Sequence, residues 1–265
     1  MTAEPNAVAE NARRRPQLRR WLQPPLSATI DLLFPPRCVA CASECAPPYG
    51  AAMLCPTCNA QLAVSERPAC PRCAMLCSAV DLSRGDCGDC RSRKLLFTAA
   101  RTIGTYQGAL RQAVLKGKHA GFGPLANALG QRLAEAIERL PFAERLDLVV
   151  SVPLHWLKRF WRGTNPANTI ALAVARHLDL PLAGHALVCT RLLRRQATLT
   201  PPERRRNVRG AFRASWRANI KGKRVLLIDD VMTTGATAHE GSRALLEAGA
   251  ASVYVATVAR SSPEF

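Results

Sequence analysis

The chain has 265 residues, 48% of them hydrophobic, and carries 37 Lys+Arg against 19 Asp+Glu, a formal net charge of +18 with a pI near 10.3. That apolar content can bury a core and a second module, while no apolar run approaches the roughly 18 residues needed to span a bilayer. The charge favours a polyanionic partner, or else records only an arginine-rich surface.

The chain opens with "MTAEPNAVAENARRRPQLRRW", which has charge but no apolar segment of the kind a secretory leader carries. A cytoplasmic location is therefore expected. Residues 1–25, with Arg13, Arg14, Arg15, Arg19 and Arg20, form a basic tail expected to stay disordered until it meets a partner. In "LQPPLSATIDLLFPP", Leu26, Ile30, Leu33 and Phe34 fall at helical spacing. They predict a short amphipathic helix, ended by Pro35 and Pro36.

Ten of the eleven cysteines follow in two copies of one pattern, at 38, 41, 45, 55 and 58 and again, each shifted by 32 residues, at 70, 73, 77, 87 and 90. Each copy is C-x2-C, a 13-residue spacer and a second C-x2-C. In a reducing cytosol that spacing reads as four thiolates around zinc, not as disulfides. Each copy would close its own site, with Cys38, Cys41, Cys55 and Cys58 in one and Cys70, Cys73, Cys87 and Cys90 in the other. A cross-braced pairing of the first and third C-x2-C units is the alternative. Cys45 and Cys77 are read as non-ligands, because a zinc site closes at four. Few large apolar side chains lie between residues 36 and 92, so two structural Zn²⁺ ions must supply the folding energy, roughly 10–16 kcal/mol each.

From residue 93 to 265, strands and helices alternate. "AARTIGTYQG" reads as a strand, "ALRQAVLKGKHAG" and "PLANALGQRLAEAIERL" as helices, and "LDLVVSVP" as a buried strand. "NPANTIALAVARHL" predicts a helix with Asn165 as cap and Pro166 at its first position. "RVLLID" is a strand, "ATAHEGSRALLEAG" a helix closed by Gly249, and "SVYVATVA" a last strand. This alternation implies an α/β fold, a parallel sheet with helices on both faces.

Ligands of such sheets bind beyond the carboxyl ends of the strands. There the chain reads "VLLIDDVMTTGAT", residues 225–237. Thr233, Thr234, Gly235, Ala236 and Thr237 form a small, hydroxyl-rich turn before a helix, suited to one phosphate. Asp229 and Asp230 cannot bind that phosphate, but they can accept hydrogen bonds from two vicinal hydroxyls, as on a ribose. A Walker B strand also ends in acids, but it needs a G-x4-G-K-[ST] loop, and "LKGKH" and "KGKRV" both fail that pattern. A strand-end cap would explain one aspartate, not the thirteen-residue pattern.

That stretch resembles the phosphoribosyl-pyrophosphate motif of type I phosphoribosyltransferases. With "LLFPPRCVAC", the eight ribbon cysteines, "VPLHWLKRFWRGTN" and "RRQATLTPPERRRNVRGAF", the chain resembles the ComF/GntX-type family over about residues 30–260. The resemblance implies a small cysteine-rich double zinc ribbon (26–92, with the helix) before a type I phosphoribosyltransferase fold (93–265). It implies that Asp229 and Asp230 bind ribose hydroxyls, that residues 233–237 bind the 5′-phosphate, and that Mg²⁺ accompanies phosphoribosyl pyrophosphate. It further implies that the turn after "LDLVVSV" faces the pyrophosphate and that the arginine-rich segment is a mobile loop over the site. Some phosphoribosyltransferases carry an acid where Thr233 stands, which can serve as a base; this chain has none there. Family members are associated with natural transformation and DNA utilisation, through handling of imported single strands. A replication-restart helicase or an uptake ATPase is the implied protein partner.

Seven arginines lie between residues 191 and 209, against one glutamate. Pro201 and Pro202 predict a loop and a short turn there. Arg195, Arg204, Arg205, Arg206 and Arg209 are candidates to contact pyrophosphate or single-stranded DNA, with Trp156, Phe160 and Trp161 as stacking candidates; a solvated basic face with buried tryptophans is the plainer reading. Two functions follow: a phosphoribosyl-ligand-binding protein of DNA utilisation, or an active phosphoribosyltransferase of nucleotide salvage with an unidentified acceptor base.

Overall fold

The computed structural model of the chain describes residues 35–45, 53–78, 83, 87–91, 93–119, 121–155, 157, 160, 164–194 and 199–261. The basic tail, the expected amphipathic helix, Arg195, Trp156 and Trp161 lie outside the described residues.

Among the described residues of the cysteine-rich segment are the short helices α1 (Pro56–Gln61) and α2 (Gly88–Arg91). The α/β part runs β1 (Ala99–Thr105), α3 (Gly108–Lys116), α4 (Gly123–Glu138), β2 (Leu148–Ser151) and α5 (Pro166–His177). It continues with β3 (Leu187–Cys189), α6 (Pro201–Val208), β4 (Phe212–Ala214), β5 (Arg224–Met232), α7 (Ala236–Glu247) and β6 (Ser252–Arg260). Four strands make one parallel sheet in the order β1-β6-β5-β2, and β3 and β4 form a separate antiparallel pair.

A parallel sheet must be covered on both faces, and alternate residues of the central strands serve the two sides. Leu226, Ile228, Ala256 and Val258 pack on one side with Leu129 and Leu133 of α4 and Val174 of α5. Val225, Leu227, Val253 and Val255 pack on the other with Leu245 of α7 and Phe212 of β4. Helices α4 and α5 approach closely at Gly130, where an added Cβ would lie 2.6 Å from the Ala173 Cβ and 2.8 Å from the Ile170 carbonyl oxygen. At the amino end of the sheet, Asp147 receives two guanidinium bonds from Arg224, both at 2.9 Å, and the Arg224 backbone N–H at 2.8 Å.

Three local expectations need correction. The segment with Pro201 and Pro202 is a helix, not a loop and turn. Proline fits the first helical turn because its missing N–H has no partner there, and Thr200 and Glu203 close the start: the Glu203 carboxylate takes the Thr200 N–H at 2.8 Å and its hydroxyl at 2.6 Å. Asn165 stands at the N-cap position of α5, but its side chain does not cap; its Nδ2 donates to the Val152 carbonyl at 3.1 Å. Strand β5 continues through the acidic pair to Met232, because β6 still pairs with it at Met232↔Arg260.

Candidate functional site

On its other side β5 loses its partner earlier. Strand β2 ends at Ser151, opposite Ile228, so Asp229 and Asp230 lie where the β2 edge has stopped but the strand has not. Asp229 Oδ1 accepts the Asp230 N–H at 2.9 Å, and Asp230 Oδ1 accepts the Val231 N–H at 2.7 Å. The second oxygen of Asp230 meets Lys118 Nζ at 2.7 Å. Burial first, and repulsion from Asp230 second, push the Asp229 carboxyl well above the usual carboxylate range. Burial opposes the charge on Lys118, yet attraction to Asp230 outweighs it and its pKa is raised. The pair is therefore a concentrated, partly neutralised anionic spot with Lys118 as its counter-ion.

The turn that follows leads straight into α7. Gly235 is its N-cap residue with φ +74°, a left-handed conformation that glycine adopts without strain. Among the described residues, the N–H groups of Thr233, Thr234 and Gly235 donate to no other backbone group. The Thr234 hydroxyl accepts the Ala236 N–H at 3.3 Å. The carbonyls of the same turn are held from behind. Arg260, only 3% exposed, donates to the Met232 carbonyl at 3.1 Å and also to Thr233; Arg93 donates to the Thr234 carbonyl at 3.1 Å.

Beside this turn is a cavity of about 420 Å³, bounded by Thr234 to Ala236, by Arg205, Arg206 and Arg209 from α6 and its end, and by Arg93 and Lys94. Its floor is apolar, with Leu95 and Val208. Among the described residues the one acid on its wall, Glu240, is engaged by the Gly210 N–H at 2.8 Å and Arg243 Nε at 3.1 Å. Arg204 does not line this cavity; its Nε donates to the Leu199 carbonyl at 3.0 Å. Of the aromatic candidates, Phe160 is 80% exposed; Trp216, which was not singled out in the sequence, is 87% exposed with the Arg217 guanidinium 5.0 Å from its ring centre.

The cysteines gather as two sequential tetrads, Cys38–Cys41–Cys55–Cys58 and Cys70–Cys73–Cys87–Cys90, each with its four sulfurs within 4.8 Å of one another. The cross-braced alternative is thereby removed. The closest sulfur pairs lie 3.7 Å (Cys41–Cys55), 3.5 Å (Cys73–Cys87) and 3.9 Å (Cys70–Cys90) apart. A tetrahedron of zinc–sulfur bonds has edges of about 3.8 Å, so the donor set fits zinc. Backbone N–H groups already point at the sulfurs: Cys55 N–H to Cys38 Sγ at 3.3 Å and Cys58 N–H to Cys55 Sγ at 3.4 Å. Such bonds support thiolate charge. With four ligands each, both sites are closed, structural zinc sites. Cys45 and Cys77 stand outside the tetrads.

Comparison with known proteins matches both parts. Residues 140–263 fit the phosphoribosyl transferase domain, and residues 29–91 fit the double zinc ribbon domain. The DNA utilization protein YhgH of Salmonella typhi is 30% identical over 220 residues, spanning 76% of this chain and 94% of that protein. The chain belongs to the ComF family. Two further ComF relatives are competence protein F of Haemophilus influenzae (27% over 211 residues; 78% of this chain, 90% of the relative) and competence protein ComFC of Bacillus subtilis (27% over 212 residues; 78% and 84%). Among the described residues no helix of this ComF chain is long and apolar enough to cross a membrane.

Lys118, Arg93 and Arg260 escaped the sequence reading. Lys118 and Arg93 stand in short basic stretches (Lys116–His119 and Arg91–Lys94) and Arg260 directly follows "SVYVATVA", with no pattern that ties any of them to the acidic pair or the turn. Only "LKGKH", set aside as a failed phosphate loop, held a usable signal, and it pointed to the wrong chemistry.

Proposed function

We propose that this ComF-family chain binds a phosphoribosyl ligand of the phosphoribosyl pyrophosphate class at the carboxyl end of β5 and acts in DNA utilisation. The observation that carries this reading is the pairing, on consecutive residues, of two opposite demands. Asp229 and Asp230 offer carboxylate acceptors for two vicinal hydroxyls. Three residues on, the N–H groups of Thr233, Thr234 and Gly235 have no backbone partner among the described residues at the start of a twelve-residue helix, which suits a 5′-phosphate. A sugar phosphate satisfies both; a simple anion or a polyol satisfies one. Lys118 would yield Asp230 to the ribose and remain close enough to meet the pyrophosphate. Mg²⁺ would arrive with the pyrophosphate.

The names of the relatives, DNA utilization protein and competence protein, support a place in the handling of incoming DNA. The arginine-rimmed cavity supports contact with single strands, phosphates on Arg205, Arg206 and Arg209 and a base over Leu95 and Val208. Calorimetric titration with phosphoribosyl pyrophosphate and Mg²⁺ tests the first part; a chain that binds neither this ligand nor ribose 5-phosphate does not have this function. Titration with single-stranded oligonucleotides tests the second. Affinity should fall steeply with salt, and replacing Arg205, Arg206 and Arg209 by Ala should weaken it alike for every sequence. A salt-independent, sequence-selective affinity contradicts the DNA reading.

A further inference from the structure

The guanidinium groups behind the phosphate turn do not belong to the turn alone. Arg260 Nη1 holds the Met232 and Thr233 carbonyls, while its Nε donates to the carbonyl of Cys73 at 3.1 Å. Arg93 holds the Thr234 carbonyl with its side chain, and its own backbone N–H donates to the carbonyl of Cys90 at 3.1 Å. Cys73 and Cys90 come one from each knuckle of the second tetrad. Each knuckle is thus tied, through one arginine, to the backbone of the anion-binding turn.

The bonds fall on the atoms that orient that turn. In a trans peptide the carbonyl and the N–H point in opposite directions. Fixing the carbonyls of Met232, Thr233 and Thr234 therefore aims the N–H groups of Thr233, Thr234 and Gly235 away from the guanidiniums, as one set. Arg260 is 3% exposed, and Cys70, Cys73, Cys87 and Cys90 are all buried, so water cannot readily replace these bonds if one end moves.

We infer that Arg260 and Arg93 are positioning residues that couple the second zinc site to the phosphate turn, so that metal occupancy there sets the affinity for a 5′-phosphate. This coupling rests on the phosphate-site reading above. It makes the second ribbon a control element: loss of its zinc to a chelator releases the turn. Coupling of this kind is reciprocal, and the bound sugar phosphate must in turn retain the zinc.

The test uses the full, zinc-loaded chain. Ribose 5-phosphate is titrated calorimetrically, and zinc release to a chelator is timed with and without saturating ribose 5-phosphate. The ligand should slow release of one of the two zinc ions at least fivefold and leave the other unchanged. Arg260→Gln and Arg93→Gln, with two zinc ions confirmed by elemental analysis, should bind at least tenfold more weakly and lose that slowing. If Arg260→Gln fails to fold, Arg93→Gln, whose side chain is half-buried, decides the matter alone. Wild-type affinity in the variants, with both zinc ions indifferent to ligand, overturns the coupling and leaves the phosphate site standing. Absence of binding by the wild-type chain overturns the site itself, and the coupling with it.

Discussion

The four sulfurs of the second tetrad belong to residues 1–6% exposed, whereas in the first tetrad Cys41 is exposed and Cys55 half-buried, although both sets have the same spacing. Their attachments differ too. The first ribbon packs Leu54, Cys58 and Leu62 into the α4–α5 side of the core, and its bonds run to Lys116, which donates to the Ala40 carbonyl at 3.0 Å, and to Arg132, which donates to Asn59. The second lies against the carboxyl ends of β5 and β6, with Arg260 and Arg93 between it and the turn at residues 233–235. One duplicated sequence unit has become a flanking brace in one copy and a support for the candidate ligand site in the other. Metal coordination is local and repeats with the spacing; what the metal stabilises depends on what packs against it.

Stripping both metals is the coarsest way to break this contrast. Each structural site contributes roughly 10–16 kcal/mol to local folding, so chelation should abolish amide-exchange protection around residues 38–58 and 70–90. The more exposed first site should empty first. Two zinc ions leaving together would erase the distinction between the sites, and fewer than two per chain by elemental analysis would remove it altogether.

A smaller effect tests whether the strand end that the second ribbon adjoins is the ligand end. Replacing Asp229 and Asp230 together by Asn removes charge-assisted hydrogen bonds worth roughly 1.5–3 kcal/mol each. Binding of phosphoribosyl pyrophosphate should weaken at least tenfold, since about 1.4 kcal/mol is a factor of ten. Unchanged affinity in calorimetry, beside a lowered melting temperature, would make the pair a structural cap.

Asp229 alone gives a finer test through pH. Its folded pKa is raised, so the folded chain keeps this proton to higher pH than the unfolded chain does. The contribution of Asp229 to stability therefore falls as pH rises from the unfolded value, about 3.9, through the raised folded one. Asp229→Asn should melt higher than wild type at neutral pH, and the difference should vanish in acid. Ligand affinity in the wild type should drop on acidification, above the pH at which ordinary carboxylates titrate. A melting gain that persists in acid would point to packing, not charge.

The smallest effect concerns the first ribbon. Lys116→Ala removes one exposed bond to the Ala40 carbonyl, worth roughly 1 kcal/mol or less. Zinc should leave the first site somewhat faster, with the timing at the second site unchanged. Faster loss from both sites would mean that the ribbons open as one unit.

Much of this was legible in the chain. The eight ligating cysteines follow from C-x2-C spacing, since thiolate knuckles are short-range devices, while their grouping into sequential tetrads came from the fold. The sheet strands and the helices α3, α4, α5 and α7 follow from apolar periodicity, and the glycine-containing turn before α7 from "DDVMTTGAT" after an apolar run. Other features were not legible. The helix of Pro201–Val208 was masked by two prolines that break a helix interior but start one comfortably, and only the Thr200–Glu203 pair, a capping signal three residues apart, could have revealed it. Asn165 looked like a cap from its position, yet the nearby Val152 carbonyl took its side chain.

By itself the sequence determined that eight cysteines in two C-x2-C…C-x2-C copies hold metal, where strands and helices alternate, and that two acids precede a hydroxyl-rich, glycine-containing turn. These are properties of residues a few positions apart, where backbone geometry leaves little choice. The tertiary structure alone decided that Lys118 faces Asp230 across 112 positions of chain, that Arg93 reaches Thr234 across 141, and that Arg260 reaches Cys73 across 187. Such contacts have no local signature, because a single buried cation finds its acceptors only after the sheet has brought distant strand ends together.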